Sequence, residues 1–149
     1  MHHTRVSVHE SIPPGCEPTC HGCRHRQLPA AASLAQKADY LGRVLQRWGD
    51  RLEPVHAPAP ARRFGYRDRA TLTARWEETS GWRFGLMRRD ELIAIHDCPI
   101  HSPRINRLID RLRVTLPAYG VLPLAYLHVA GAQATLIVKA RSFSSDLLD

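Results

Sequence analysis

Lysine, glycine-rich loops and long hydrophobic runs are all scarce in this 149-residue chain. Lysine occurs only at Lys37 and Lys139, so 19 of the 21 lysine and arginine residues are arginine. No apolar run approaches the roughly 18–20 residues of a membrane-spanning helix, and residues 1–15 lack the apolar centre of a secretory signal. The nine glycines form no G-x-G pattern, which excludes the usual glycine-rich cofactor loop. These absences favour a cytoplasmic protein that does not enter a membrane.

The net charge is strongly positive and comes almost entirely from arginine. Lys and Arg total 21 against 14 Asp and Glu, which gives +7 at pH 7. Arginine forms paired hydrogen bonds with phosphate and stacks on bases, which lysine does poorly. A polyanionic partner, above all nucleic acid, is therefore favoured. A genome rich in G and C would also raise the arginine content, so composition alone leaves that alternative open.

Hydrophobic periodicity predicts an α+β fold, in which a cysteine-rich loop with a helix precedes an antiparallel β-sheet, a meander plus a hairpin, packed with one helix. An apolar stripe predicts the first helix over Ser33–Trp48, and three prolines in Glu53–Ala61 indicate an extended connector. Period-two alternation predicts strands at Arg69–Trp76, Trp82–Met87, Leu92–His96, Leu122–Val129 and Ala132–Ala140, the last two turning at Ala130–Gly131.

A second helix is predicted over Pro103–Leu116. Ser102 is a suitable capping residue and proline suits the first helical position. The apolar stripe of this helix consists of Ile105, Leu108, Ile109, Leu112 and Leu116, while its arginines form an ordinary solvent-facing side. Residues Ser144–Asp149 resemble the start of a further helix that does not continue, so we expect the chain to be a fragment.

The four cysteines form the most informative pattern in the sequence. Cys16, Cys20 and Cys23 follow a C-x3-C-x2-C spacing, and the distant Cys98 is followed by Pro99. Three thiols within eight residues either converge on a common point or stay free, and in a cytosolic protein such clustering favours metal over disulfides. An iron–sulfur cluster is held by four thiolates, often with one distant ligand.

Zinc is the alternative metal for such a set of cysteine ligands, because four cysteines also form structural zinc sites. Zinc sites usually combine two C-x2–4-C pairs, whereas the split here is three and one. The spacing leaves open iron–sulfur, zinc and unliganded cysteines, and the nearby histidines that can substitute as ligands are His21, His25, His96 and His101.

Several blocks of the chain, taken in order, resemble the N-terminal part of the S-adenosylmethionine-dependent RNA uracil-5-methyltransferases, which modify 23S rRNA and tRNA. The blocks are Cys16 with Cys20-His21-Gly22-Cys23, Gln36-Lys37, Phe64-Gly65-Tyr66-Arg67-Asp68-Arg69-Ala70, Phe84-Gly85-Leu86-Met87-Arg88-Arg89 and His96-Asp97-Cys98-Pro99-Ile100. The resemblance implies that Cys16, Cys20, Cys23 and Cys98 bind a [4Fe-4S] cluster.

This chain departs from the family pattern in its cysteine loop. The family commonly has a longer gap between its first two cysteines and a Gly-Gly-Cys-Gln run, whereas this chain has three intervening residues and His21-Gly22-Cys23-Arg24. The resemblance also implies that S-adenosylmethionine binds only in a C-terminal catalytic domain absent from this chain. We therefore expect no catalytic residue here and an inactive chain when it stands alone.

The resemblance divides the chain into residues 1–52, the cluster loop and helix, and residues 53–149, a central α+β RNA-docking domain from which Cys98 returns to the cluster. The implied partner is structured RNA, either rRNA or tRNA, bound by a monomer. The arginines expected to contact RNA are Arg67, Arg69, Arg24, Arg26, Arg88 and Arg89. Phosphate contacts of this kind make binding salt-sensitive.

Each of these assignments has a structural alternative. Salt bridges to Asp68, Asp90 or Asp97 are the alternative for Arg67 and Arg69, and a solvated turn is the alternative for Arg88 and Arg89. The residues that can stack on bases are Tyr66, Trp76 and Trp82, although alternation places Trp76 with the core. At the level of the whole chain, the alternatives are a stand-alone metal- or redox-sensing nucleic-acid-binding module and a zinc-stabilised interaction domain.

Overall fold

The computed structural model describes residues 12–140, which fold as an α+β structure built on a five-stranded antiparallel sheet. The elements are α1 (Ala30–Val44), β1 (Arg69–Glu77), β2 (Gly81–Arg88), β3 (Glu91–Ala94), α2 (Pro103–Thr115), β4 (Leu124–Ala130) and β5 (Gln133–Val138). Two short 3₁₀ helices, Gln46–Arg51 and Pro60–Arg62, lie between α1 and β1. The predicted fold class is therefore confirmed.

The strands lie in the order β3-β2-β1-β4-β5, so that β1 is central although it comes first in the chain. The meander β1-β2-β3 is built by consecutive antiparallel pairs, and β4 then adds to the free side of β1, with Leu72 opposite Leu127. Gly85 lies where β2 and β3 approach most closely, since a Cβ there would stand 2.0 Å from the Ile93 carbonyl oxygen. A glycine is therefore required at this point of the sheet.

The core lies between one face of the sheet and α2. The alternation predicted for β1 is confirmed, since Leu72 and its even-numbered neighbours Ala70 and Ala74 are buried. Ile105 and Ile109 of α2 are fully buried at 0% exposure. Their burial follows from the i, i+4 spacing, which places both side chains on the same face of the helix.

Several predicted boundaries need correction. The first helix begins at Ala30 rather than Ser33 and ends at Val44 rather than Trp48, because Leu45 (φ −107°, ψ 23°) leaves the helical region. None of the residues of α1 is buried, so its apolar stripe remains partly exposed. The predicted hairpin turn shifts by one residue to Gly131-Ala132, since Ala130 pairs with Gln133 and Gly131 adopts φ +56°.

Ser102 is the N-cap residue of α2 as predicted, but its side chain forms no capping hydrogen bond. The Ser102 hydroxyl is buried and has no hydrogen-bond partner in the part of the chain that the structure describes. The backbone holds the residue instead, since its N–H donates to the Arg67 carbonyl at 2.9 Å and its carbonyl accepts from Ile105 and Asn106. Pro103 takes the first helical position as predicted. The helix predicted over Ser144–Asp149 lies outside the described residues, and within them no helix is long and apolar enough to cross a membrane.

Candidate metal centre and arginine-rich surface

Tight turns shape the loop that carries the first three cysteines. The Cys16 N–H donates to the Pro13 carbonyl at 3.0 Å, and the Cys20 N–H donates to the Glu17 carbonyl at 3.1 Å. The Glu17 carboxylate accepts from both the N–H and the hydroxyl of Thr19, at 3.1 and 2.8 Å. These contacts close the loop locally, and Cys20 of this loop packs against the hydrophobic core, as Cys98 does.

Gly15 determines how closely this loop approaches Cys98. Its φ of +78° is in the left-handed region, and a Cβ at this position would lie 2.6 Å from the Asp97 carbonyl oxygen. Both conditions select glycine, because it lacks a Cβ and tolerates positive φ. The loop therefore reaches the residue that precedes Cys98, although 81 residues of sequence lie between Gly15 and Asp97.

Asn106 of α2 holds the Cys98 backbone from both sides. Its side-chain Oδ1 accepts from the Cys98 N–H at 3.3 Å, and its Nδ2 donates to the Cys98 carbonyl at 3.1 Å. The same Nδ2 donates to the Asp97 carboxylate at 2.7 Å. The position of Cys98 is consequently tied to α2, whose Ile105 and Ile109 are buried in the core.

Each thiol lies within electrostatic range of at least one other. Burial raises the pKa of Cys23, and Cys98, Cys20 and Cys16 raise it further while Arg67 lowers it. Burial likewise raises the pKa of Cys98, with smaller upward contributions from Cys16 and Cys20. Without a bound metal, the Cys23 and Cys98 thiols are therefore neutral at pH 7. Binding of a metal must displace their protons. All four cysteines are reduced and half-buried.

The thiols are neighbours without converging on a single point. Among residues 12–140, no three His, Cys, Asp or Glu side chains are close enough together to hold a metal ion as they stand. Of the histidines predicted as substitute ligands, His25 is engaged with the Ser33 hydroxyl at 2.7 Å. His101 is buried, and its Nδ1 has no hydrogen-bond partner within the described range. Burial lowers the pKa of His101, so its imidazole is neutral at pH 7.

Arg26, which is predicted to contact RNA, forms hydrogen bonds with the backbone of the cysteine loop. Its guanidinium donates to the Glu17 carbonyl at 2.9 Å and to the Pro18 carbonyl, and it lies 3.9 Å from the Cys16 sulfur. These bonds give Arg26 a role in shaping the loop. Arg24, two residues earlier, is exposed.

Arg67 lies beside the cysteines and Arg69 at the start of β1. The segment around Arg67 pairs with the residues that follow Cys98, since the Arg67 N–H donates to the Ile100 carbonyl at 2.8 Å. Both guanidinium groups are exposed, and Asp68 between them forms its ion pair with Arg104 at 3.7 Å. Asp68 therefore pairs with Arg104, and not with Arg67 or Arg69 as the structural alternative suggested.

Arg88 and Arg89 are exposed at the turn between β2 and β3, where Arg89 adopts φ +55°. They line a groove of about 600 Å³ together with two arginines that the sequence analysis did not single out, Arg75 and Arg83. The acidic residues Glu77, Asp90 and Glu91 complete the polar lining. The structure thus gathers four arginines from β1, β2 and one turn.

Two of the three proposed stacking residues belong to the core. Trp82 is fully buried and donates its indole N–H to the Pro117 carbonyl at 2.7 Å, so the prediction that it can stack on a base is wrong. Trp76 packs edge-on against Trp82, with ring centroids 5.6 Å apart, which confirms the core interpretation. Tyr66 is 58% exposed, so its ring is available to stack on a base. Trp82 lies directly opposite Trp76 across β1 and β2, so both side chains project to the same, buried face of the sheet.

Asn106 and the Arg75–Arg83 pair are the residues that sequence reasoning missed. Nothing in the local pattern around Asn106 distinguishes it from a solvent-facing polar residue of an amphipathic helix. The Arg75–Arg83 pair depends on the register of β1 and β2, in which the two residues lie directly opposite each other. Counting residues outward from the turn between the first two predicted strands would have identified this pair.

No protein-family model matches the chain, but individual proteins do. It is 30% identical over 114 residues to the 23S rRNA (uracil(1939)-C(5))-methyltransferase RlmD of Cronobacter sakazakii, which covers 74% of this chain and 25% of that protein. It is 35% identical over 101 residues to RlmD of Pseudomonas entomophila, covering 65% of this chain and 22% of the relative. An uncharacterized RNA methyltransferase of Parasynechococcus marenigrum is 30% identical over 106 residues, which cover 68% and 23% of the two chains.

These relatives define the class of the chain, since each of them is named as an RNA methyltransferase. Over the matched region the chain belongs to the RNA uracil-C5-methyltransferase family, which confirms the resemblance carried by its sequence motifs. It spans about a quarter of the length of the relatives it matches.

Proposed function

We propose that this chain is the iron–sulfur and RNA-binding portion of an S-adenosylmethionine-dependent RNA uracil-5-methyltransferase that acts on rRNA or tRNA. The observation that carries the proposal is the set of four reduced, half-buried cysteines, three on a short loop and one returned by the sheet domain. These cysteines lie within a chain whose relatives are RNA methyltransferases.

The spacing of the cysteines favours a cluster over a single zinc ion. Zinc sites usually combine two C-x2–4-C pairs, whereas three of these cysteines lie on one short loop and the fourth is distant in sequence. A four-iron cluster is held by four thiolates, often with one distant ligand.

The surroundings of the thiols also suit a cluster. Such a group supplies four positions for thiolate ligands and thereby ties distant segments together. The Gly22 N–H approaches the Cys20 sulfur at 3.4 Å, and the guanidinium of Arg67 is close enough to Cys23 to lower its pKa. Arg67 opposes, without cancelling, the rise that burial causes in the pKa of Cys23, and N–H groups and positive charge of this kind would stabilise the thiolates of a bound cluster.

Within this proposal the cluster is structural, and the arginines dock RNA. Methyl transfer to uracil requires a cysteine nucleophile and a base that removes the C5 proton, and all four cysteines of this chain are assigned to the cluster. We therefore assign the cofactor and the methylation step to another part of the enzyme. Phosphate contacts come from the exposed Arg67, Arg69, Arg88 and Arg89.

The first experiment is the iron, sulfide and zinc content of the anaerobically purified 149-residue chain. We expect iron and sulfide in near-equal amounts that approach about four per chain. The matched variant Cys98→Ser should lose most of this iron, while Arg107→Gln on the exposed side of α2 should retain it. About one zinc per chain in the unaltered protein would overturn the cluster and support the zinc-stabilised alternative.

RNA binding is tested separately, by fluorescence anisotropy with a labelled rRNA fragment over a range of salt concentrations. We expect the logarithm of the binding constant to fall linearly with the logarithm of salt concentration, because phosphate contacts release counterions. Binding that is absent, or that is independent of salt, would contradict the docking role whatever the metal content.

A further inference from the structure

We propose that the side of the sheet opposite α2, here called the open face, is a binding platform for single-stranded RNA. This inference rests on the RNA-docking role proposed above and specifies where the RNA lies and which form it takes. The open face is defined by six residues with side chains on that side of three strands, Arg69, Thr71 and Arg75 of β1, Arg83 of β2, and Tyr126 and His128 of β4.

Strand register places these residues on one surface. Arg75 lies directly opposite Arg83, and Thr71 lies directly opposite His128. Directly opposed residues of an antiparallel pair project from the same face. Their neighbours along the strands, such as Leu72 and Leu127, project to the other face and are buried in the core. The open face therefore carries polar, basic and aromatic side chains where the opposite face carries the core.

The open face carries one ion-paired arginine and two exposed ones. Arg83 forms an ion pair with Glu77 at 2.5 Å, and Ser80 also donates to that carboxylate. Arg75 lies directly opposite Arg83, is exposed, and donates to the Asp90 carbonyl at 3.4 Å. Arg69 at the start of β1 is exposed as well. Arg75 and Arg69 are therefore the cations of the open face that a phosphate group can contact.

The groove beside Arg75 adds two further arginines to this surface. It has a volume of about 600 Å³ and is lined by Arg88 and Arg89 at the end of β2 and the following turn. Four arginines stand against three carboxylates, Glu77, Asp90 and Glu91, in this lining. Arginine provides paired donors that match the oxygens of phosphate, so a phosphate bound at Arg75 can also contact Arg88 or Arg89.

Aromatic groups on β4 provide the second part of the platform. Tyr126 is 39% exposed, although β4 is an interior strand of the sheet. His128 lies two residues further along β4, and its Nδ1 is 2.8 Å from the Thr71 hydroxyl, which fixes the ring. Tyr126 pairs with Thr73, two residues from Arg75, so the tyrosine and the arginine are diagonal neighbours about 7–8 Å apart.

This combination selects single-stranded RNA over a duplex. Unpaired bases stack on aromatic side chains that project from a sheet, while arginines bind the adjoining phosphates. In a duplex the faces of the bases are already covered by their neighbours, so an exposed ring such as Tyr126 has nothing to stack on. The open face thus fits an unpaired loop of a structured RNA.

The test compares two double variants of the metal-loaded 149-residue chain. One variant alters the open face, Arg75→Gln with Tyr126→Leu, and the matched control, Arg107→Gln with Arg111→Gln, removes two exposed charges from α2 on the other side of the sheet. The probe is a labelled uridine-rich single strand of about 12 nucleotides, comparable with the site sizes of other single-strand binders. We expect at least a tenfold weaker Kd for the open-face variant and less than a threefold change for the control.

A second measurement does not depend on the folding of any variant. The unaltered chain is photo-crosslinked to the same strand containing 5-iodouridine, and the attachment site is mapped by mass spectrometry. Crosslinks at Tyr126 or His128 support the platform. Crosslinks confined to other residues, equal losses in both double variants, or tighter binding of a matched duplex would each overturn it while leaving RNA docking intact. No binding by the unaltered chain would overturn the docking role as well.

Discussion

The side chain of Asn106 binds both backbone polar groups of Cys98. Asn106 is therefore a positioning residue for a candidate metal ligand. In Asn106→Ala these bonds and the bond to Asp97 are lost. At about 1 kcal/mol for each hydrogen bond, we expect the free energy of unfolding to fall by roughly 2–3 kcal/mol. We also expect the rate of iron loss under air, followed by the visible absorbance of the cluster, to rise several-fold.

Arg107→Ala is the matched control, because it alters the next residue of α2 without touching Cys98. It should leave both the unfolding curve and the rate of iron loss unchanged. If Asn106→Ala lowers stability but the iron is lost at the wild-type rate, then Asn106 supports the fold alone and does not position Cys98 for a cluster.

Gly15 is the second residue whose effect is local and large. Gly15→Ala places a Cβ 2.6 Å from the Asp97 carbonyl oxygen in a backbone with φ +78°, so the loop must move away from Cys98. We expect a loss of roughly 1–3 kcal/mol of stability and reduced iron incorporation. Gly42→Ala serves as the comparison, because nothing lies within 4 Å of its added Cβ.

Gly42 lies inside α1, where alanine is favoured over glycine by about 0.5–1 kcal/mol. In thermal unfolding we thus expect Gly15→Ala to lower the Tm and Gly42→Ala to raise it. A loss of stability in both variants would show that the Gly15 effect is not specific to its contact with Asp97.

At the scale of elements, the two helices differ in how much they contribute to the core. Ile109 of α2 is fully buried, whereas Leu41 of α1 is 37% exposed. Ile109→Ala should therefore cost about 2–5 kcal/mol, and Leu41→Ala should stay within about 1 kcal/mol. Urea unfolding of both variants measures the difference, and equal costs would mean that α1 is packed in solution.

The β1–β2 hairpin predicts a dependence on pH. Hydrogen bonds from Ser80 and then Arg83 hold the pKa of Glu77 below its usual 4.5. A carboxylate with a lowered pKa in the folded state stabilises the protein above its unfolded pKa, and this contribution disappears as the pH falls through the folded value. The difference in Tm between the wild type and Glu77→Gln should thus be present at pH 7 and shrink below about pH 4.5. A Tm difference that stays constant from pH 7 to pH 3 would contradict this role of Glu77.

At the scale of the whole molecule, the proposed cluster connects the cysteine loop to a sheet domain that has its own core. Removing iron anaerobically with a chelator should therefore loosen the loop, residues 12–29, and the turn around Cys98, while β1 and β4 keep their protection. Hydrogen exchange followed by mass spectrometry measures both regions in one experiment. Faster exchange throughout the chain would show instead that the fold of the sheet depends on the metal.

The elements of this fold were largely predictable because their signals are local. The period of two in β1 and the i, i+4 spacing of Ile105 and Ile109 identify one strand and one helix without reference to the rest of the chain. The family motifs likewise identified the RNA uracil-C5-methyltransferases, whereas the metal site that the cysteine spacing indicates stays a prediction. The ends of α1 were less predictable, since a helix with no buried residue lacks the packing that sharpens an amphipathic pattern.

The sequence by itself determined the fold class, the candidate ligand set and the family, because these depend on residue type and short-range spacing. Only the tertiary structure decided which side of the sheet α2 covers, and thereby that Trp82 is buried while Tyr126 is exposed. It also decided that Arg26 is bound to the loop, that Asn106 holds Cys98, and that Arg75 faces Arg83. Each of these contacts joins residues whose separation in sequence exceeds one turn of helix. The Arg75–Arg83 pairing follows from the register of the β1–β2 hairpin, and the other two contacts follow from the packing of the cysteine loop and of α2, which no local pattern encodes.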